Sequence, residues 1–304
     1  MKKTLTPFAL AIMLLVAGCA LSARLLWQVD RNSSWNHGHH LVMSEDQQSL
    51  FSFTNHEQEL SVEHFDLNGQ LLRQYQFAIQ PANPFPQPLP LLTHDNQFFL
   101  AGPTARDTLF LDLDSGVQWQ GFGAELVDED DRLEIHRAYL NQNDELVFSA
   151  SLIIWNGDDF GSATGVIGRV DKNGALATLH RLDDLQSIDL QIRPGTDSFI
   201  LTGRFRNNGE AENNPASVVI EYDSQLNELH RFPQSLYLGA PQVTHDAVIS
   251  PVWQDGTYHN DAISLTTGEA ERLPIPYESG TRQIAGANSL YQIRSKWEST
   301  RPIN

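Results

Sequence analysis

The chain repeats itself. A short β-branched or aromatic run, preceded two residues earlier by Asp or Asn, recurs from near the start to near the end. The runs begin at Leu50 (LFSFTN), Phe98 (FFLAGP), Leu146 (LVFSAS), Phe199 (FILTGR), Val248 (VISPVW) and Leu290 (LYQIRS), at intervals of 48, 48, 53, 49 and 42 residues. Asn96, Asp144, Asp197, Asp246 and Asn288 hold the turn position, and in the first copy Gln48 stands there with Asp46 just ahead. Self-similarity at such a period constrains a fold strongly. Each copy must make the same small unit and bury its apolar face against the next.

Every copy reads as strands in one order. Ahead of the run lies a short alternating segment: HLVMS, PLLTH, RAYLN, LQIRP, PQVTH, RQIAG. After it, in five copies, comes a third, SVEHFD, TLFLDL, VIGRVD, SVVIEYD or DAISL, and then a fourth, LLRQYQF, VQWQG, ALATLHR, ELHRF or AERLP. Turns such as Asp66-Leu67-Asn68-Gly69 and Asp171-Lys172-Asn173-Gly174 join the last two. Asp and Asn side chains cap such turns, and Gly accepts the positive φ that closes them. Four antiparallel strands per roughly 40 to 50 residues predict an all-β chain of β-propeller type. A two-sheet sandwich or an open β-solenoid would also alternate. Neither readily gives a four-strand unit at this period.

The unit resembles the generic blade of quinoprotein-like propellers, whose third and fourth strands are joined by an Asp-x-x-Thr-Gly turn followed by a Trp. Asp112 to Trp119 is the best local match, with the Trp one residue early, and Asp261 to Gly268 keeps the turn and lacks the Trp. The other units keep only Asp-x-Asn-Gly. The resemblance implies the architecture, not quinone binding, and no cofactor is expected. Counting gives six four-stranded blades, the last of them short (Arg282 to Ile303). Leu25 to Val29 (LLWQV) would complete it and close the ring, which spares a propeller its exposed sheet edges.

The N-terminus tells a different story. Lys2 and Lys3 precede an apolar run, Phe8 to Gly18, of 11 residues. That is too short to span a bilayer core of roughly 30 Å, which takes about 20 residues, and it reads as a secretory signal. The run ends Val16-Ala17-Gly18-Cys19, and Cys19 is the only cysteine, so no intramolecular disulfide exists. This resembles the lipobox of bacterial lipoproteins. The resemblance implies cleavage of residues 1–18, diacylglycerol on the Cys19 thiol and acylation of its new amine. It further implies a tether over 19–39 and a propeller domain over 40–304. In that family an Asp after the cysteine tends to retain the protein in the inner membrane; Ala20 stands there, so the resemblance implies the outer membrane, with the body on the periplasmic side.

Charge narrows the partners. The chain carries 20 Lys+Arg against 38 Asp+Glu, a formal −18, and loss of Lys2 and Lys3 leaves 18 − 38, or −20. Nucleic acid is excluded as a default partner, since phosphate binding needs a basic surface. Hydrophobic residues at 40% are enough for a core, so wholesale disorder is excluded too.

Standard catalytic motifs are absent: no G-x-S-x-G, H-E-x-x-H, P-loop, G-x-G-x-x-G or C-x-x-C. Thr93-His94-Asp95 and Thr244-His245-Asp246 repeat one tripeptide at equivalent places in units two and five. In a six-bladed ring His94, Asp95, His245 and Asp246 would face one another at a channel mouth, with carboxylates tuning imidazoles and a metal held between them. The plainer reading is ordinary turn chemistry. His37 and His39 would share a face of an extended segment, and a solvated lead-in to the first blade accounts for them. Asp128-Glu129-Asp130-Asp131 lacks calcium-loop spacing and reads as a solvated loop. Trp27, Trp119, Trp155, Trp253 and Trp297 fit packing between blades better than a ligand platform. Four long connections, 78–88, 122–134, 156–164 and 206–216, would emerge on one face of the disc, where binding usually sits.

Two functions follow as expectations. One is a protein-binding or scaffold module anchored at Cys19, similar in outline to the propeller lipoproteins of outer-membrane protein assembly. The blades of those proteins match the quinoprotein pattern better, so their partner is not implied here. The other is a periplasmic propeller enzyme of hydrolase, lyase or lactonase type at the channel mouth.

Overall fold

A computed structural model describes residues 39–294, except 45, 57–58, 80–88, 96, 124–131, 157–158, 207–215, 236–237, 240, 255–256, 277–280 and 287–288. Within them the first sheet is β1 (His39–Met43), β2 (Ser49–His56), β3 (Glu59–Asp66) and β4 (Leu71–Ala78). The second is β5 (Leu89–Leu92), β6 (Phe98–Ala101), β7 (Leu109–Asp112) and β8 (Gly116–Gln120). The third is β9 (Arg132–Leu140), β10 (Leu146–Asn156), β11 (Asp159–Val170) and β12 (Leu176–Leu182). The fourth is β13 (Leu185–Ile192), β14 (Phe199–Phe205), β15 (Ser217–Tyr222) and β16 (Glu228–Gln234). The fifth is β17 (Gln242–Val243), β18 (Ala247–Gln254), β19 (Thr257–Ser264) and β20 (Ala270–Pro276), and β21 (Thr281–Gly286) pairs with β22 (Ser289–Arg294). Each sheet is an antiparallel meander in chain order.

Burial runs across each sheet. In the second, β6 is wholly buried while β8 is half-exposed, and in the fourth β15 is wholly buried while β16 is mostly exposed. Middle strands that are covered on both faces need continuous apolar runs rather than alternation. FFLA, LVFSAS and SVVIEY supply them. The core is correspondingly divided into slabs, one per seam. Phe51, Phe53, Phe98 and Leu111 join sheets one and two, and Phe99, Phe110, Phe148 and Val166 join two and three. Val147, Ile167, Leu201 and Ile220 join three and four, and Ile200, Val219, Val248 and Ile263 join four and five. First strands neighbour first strands (β1 with β5, β5 with β9, β9 with β13, β17 with β21), and at the other edge β4 meets β8. First strands thus gather inward and fourth strands form the rim, the arrangement of a propeller.

The turn between third and fourth strands recurs atom for atom in sheets one, three and four. Oδ1 of Asp66 accepts the N–H groups of Asn68 and Gln70 at 2.9 and 2.8 Å. Asp171 does the same for Asn173 and Ala175 at 2.8 and 3.0 Å, and Asp223 for Gln225 and Asn227, both at 2.8 Å. Gly174 takes φ +80° there, whereas the fourth sheet puts Leu226 at φ +64°. Leu226 offsets that strain, of order 1–3 kcal/mol, by full burial in the third seam.

Two expectations are corrected. Asp261 does not open the fifth sheet's turn: it lies inside β19, and Ser264 Oγ caps the turn by accepting N–H of Thr266 and Thr267 at 3.2 Å. Residues 156–164 are not a long loop, because β10 and β11 continue their ladder outward to Asn156↔Asp159. Ile153, Ile154 and Trp155 on one arm and Phe160 and Thr164 on the other favour strand there. The ring-closing segment 25–29 lies outside the described residues.

Candidate functional site

The Thr93 turn joins β5 to β6. Thr93 Oγ1 donates to the Gln97 carbonyl and accepts the Gln97 N–H, both at 3.2 Å, which closes the hairpin locally. His94 then reaches across to the third sheet. Its N–H donates to both Asp144 oxygens at 3.1 Å, and its Nδ1 lies 2.6 Å from Asp144 Oδ1. Lys172 Nζ donates to Asp144 Oδ2 at 3.2 Å and to Asp95 Oδ2 at 2.6 Å. The Asp144 side chain is only 8% exposed. Burial pushes its carboxyl up, but the bonds from His94 and Lys172 outweigh that and hold it below its ordinary value. Beside it, the Trp119 indole of β8 donates to the Lys172 carbonyl at 2.8 Å. A Cβ on Gly174 would stand 3.1 Å from that indole. The match to the quinoprotein-like turn therefore marks a tie between sheets. Phe232 of β16 lies in the same way against Gly268 of the fifth sheet, and Phe77 of β4 against Gly116 of the second.

The Thr244 turn joins β17 to β18 with the same local closure: Thr244 Oγ1 donates to Ala247 O at 2.9 Å and accepts its N–H at 3.0 Å. Here the histidine stays at home, with Nδ1 2.6 Å from Asp246 Oδ1 of its own turn. The seam contact comes from behind, where Arg193 of sheet four donates through Nε to the His245 carbonyl at 2.7 Å. Its Nη1 meets the buried Glu221 carboxylate at 2.7 Å. So His94 with Asp95 serves the seam between sheets two and three, and His245 with Asp246 the seam between four and five. No described contact joins the two pairs. Among the described residues, no three His, Cys, Asp or Glu stand together as a metal group.

The inner strands carry a polar chain that the repeat pattern did not reveal. Arg137 Nε donates to Asp189 Oδ1 at 3.0 Å, and Gln191 Nε2 donates to Asp189 Oδ2 and to Pro241 O, both at 2.8 Å. Sheets three, four and five are thereby linked. A register shift makes His136 the extra residue of β9 and turns its Nε2 to within 2.7 Å of Ser151 Oγ. Bulges re-aim side chains in this way. No local sequence signal marks it.

Of the other candidates, Cys19, His37 and 128–131 lie outside the described residues, as does most of 78–88, 122–134 and 206–216; His39 is placed as backbone only. Trp119 alone of the five tryptophans has a described side chain, and it packs between sheets as expected.

No family model matches the chain, and no curated protein matches it. Among solved structures it is similar to the Dos1 propeller, with a TM-score of 0.51 at 11% identity over 80% of this chain and 59% of that one. The chain therefore spans about three fifths of that structure's length. The chain is a β-propeller. Looser likenesses have TM-scores of 0.48. One is to virginiamycin B lyase from Staphylococcus aureus, at 11% identity over 88% of this chain and 87% of that one. Another is to an acylaminoacyl peptidase, at 8% identity over 84% and 42%. Identities this low speak to fold and not to chemistry.

Proposed function

We propose that this propeller is a lipoprotein of the outer membrane, held on its periplasmic side by acylated Cys19, and that it acts as a protein-binding module. The observation that carries the binding reading is an uneven surface. Among the described residues, eight large apolar side chains are exposed, and five of them belong to the first sheet: Leu41, Met43, Leu67, Leu71 and Leu72. Grouped apolar exposure marks interaction surfaces, whereas scattered single residues do not. Leu67, Leu71 and Leu72 cluster at the β3–β4 hairpin on the rim, where a partner has access. The anchor reading rests on the lipobox. Several acyl chains, at about 0.8 kcal/mol per buried CH₂, would hold the body durably.

One experiment tests both halves. Cells labelled with a radioactive fatty acid should mark the protein, and Cys19→Ala should remove the mark and release the body from membranes. Crosslinking in intact envelopes should capture a partner from wild type and lose it in Leu71→Asp/Leu72→Asp. The same capture from both proteins would sink the binding reading.

A second reading, a periplasmic propeller enzyme, is favoured by one observation. Ser151 and His136 stand at nucleophile–base distance. A fluorophosphonate probe that labels Ser151, and fails to label His136→Gln, would support it.

A further inference from the structure

We infer that the free edge of β4 receives an extended segment of the partner as a fifth strand, apolar at its centre and basic at its ends. The inference deepens the binding reading and rests on it.

Each four-stranded sheet ends in an outer strand, and a terminal strand presents unpaired N–H and C=O groups to any extended chain. Among the described residues, three of these five strands are guarded. β8 has 5 residues, and its Trp119 is committed to Lys172. β12 has neither proline nor carboxylate but offers little apolar surface, with Leu182 buried and Leu176 and Leu179 packed on the core. β16 carries Glu228 and Pro233, and β20 carries Glu271, Pro274 and Pro276. Proline removes a ladder donor, and charge opposes apolar pairing.

β4 lacks these guards too: Tyr75 and Phe77 pack on the core, but unlike β12 it leaves two leucines exposed. It runs 8 residues, LLRQYQFA, without proline or carboxylate. From Arg73 to Ala78 it keeps unbroken register with β3, so its outer edge is straight over that stretch. The bulge at Leu72 is shared with the other sheets and lies at the turn end. There Leu71 and Leu72 are exposed by 46% and 52%. Added strands gain affinity from main-chain bonds and specificity from alternate side chains.

Charge identifies the occupant. The strip is free of acid in a chain with 38 acidic residues, yet acid stands at both ends of it. Glu59 pairs with Ala78 at one end, and Asp66 closes the turn at the other. Asp114, its side chain 86% exposed, lies 3.5 Å from Arg73 near that same end. A segment with Lys or Arg flanking a short apolar stretch meets complementary charge at both ends and none of like sign along Leu71–Ala78 except Arg73. Arg73 itself is folded over the Tyr75 ring, 4.6 Å from its centroid.

The test uses a fluorescent peptide, Lys-Lys-Val-Thr-Val-Thr-Val-Lys-Lys, and a twin with Glu at its four Lys positions, titrated into the intact propeller. The Lys peptide should bind saturably. Its Kd should rise roughly tenfold or more for the Glu twin, and likewise in Leu71→Asp/Leu72→Asp. Gln74→Pro and Tyr75→Pro remove adjacent N–H groups, one facing β3 and one facing outward. The variant that keeps the wild-type melting temperature is read, and it should bind at least as poorly. If neither keeps it, amide exchange decides: protection on binding must be confined to residues 73–78 of the rim. No saturable binding, equal binding of the two peptides, an undiminished proline variant or protection elsewhere would overturn strand addition. Should that happen while envelope crosslinks still depend on Leu71 and Leu72, the binding reading survives. If those crosslinks are also insensitive, both fall.

Discussion

The Thr93 and Thr244 turns share a tripeptide and the same threonine-closed hairpin, yet their charged residues do different work. His94 hands its hydrogen bonds to Asp144 of the next sheet, whose side chain is 8% exposed and also takes Lys172. His245 pairs with Asp246, 78% exposed, in its own turn. The shared residues encode a local loop. What the loop then contributes is set by the neighbouring sheet, about fifty residues away in sequence, which offers a buried carboxylate in one case and the Arg193 guanidinium in the other.

Substitutions can break that contrast. The largest effect should come from Asp144→Ala, which leaves the His94 N–H and ring without their partner and Lys172 with Asp95 alone. Breaking a well-buried pair costs about 3–5 kcal/mol, and the part-exposed Lys172 brings the expectation to about 2–3 kcal/mol. Melting by circular dichroism should fall by roughly 5 °C or more. Next, Gly174→Ala combines a left-handed backbone with a Cβ placed 3.1 Å from Trp119, and should cost about 1–2 kcal/mol. Trp119→Phe loses the bond to Lys172 O, about 1 kcal/mol, together with a smaller amount for the missing second ring of the indole. Asp246→Ala is the matched control and should move stability by no more than about 0.5 kcal/mol. If it costs as much as Asp144→Ala, the two turns are energetically alike and the contrast fails.

Acid sharpens the same comparison. A carboxyl held below its ordinary value in the folded state contributes stability above its unfolded pKa of about 3.9. That contribution is lost as pH falls through the folded value. The melting gap between wild type and Asp144→Asn should therefore be full near pH 6 and narrow below about pH 4. A gap that is constant down to pH 2 would remove the charge from the account. Asp112, drawn to about 2 by the Gln97 amide and the Ser115 N–H, should resist acid in the same way.

Much of the architecture was legible because its signals are local. The runs at Leu50, Phe98, Leu146, Phe199 and Val248 became the second strands of their sheets, and Asp66, Asp112 and Asp171 became the turn caps. Local reading misplaced the fifth turn because Ser264 performs the capping expected of Asp261. It ended β10 early because the Gly161-Ser162-Ala163 stretch reads as loop, whereas the ladder with β10 runs on through it. The contacts around the candidate residues were harder. His94 with Asp144, Arg137 with Asp189 and His136 with Ser151 depend on which sheet lies alongside or on a single bulge, and periodicity carries neither. The exposed leucines of β4 were visible as strand residues, but not as exposed ones, since the burial of a rim strand depends on what packs beside it.

The aromatic ties have a direction. Phe77, Trp119 and Phe232 each sit on an outer strand and press on a glycine turn of the sheet that follows. The second sheet owns both parts, the plug Trp119 aimed forward and the socket at Gly116 open behind. A gene that duplicates a whole period in register supplies both halves of the new joint at once, whereas a break inside a period leaves an idle plug or an empty socket. The polarity of the joint favours change in this protein by whole units.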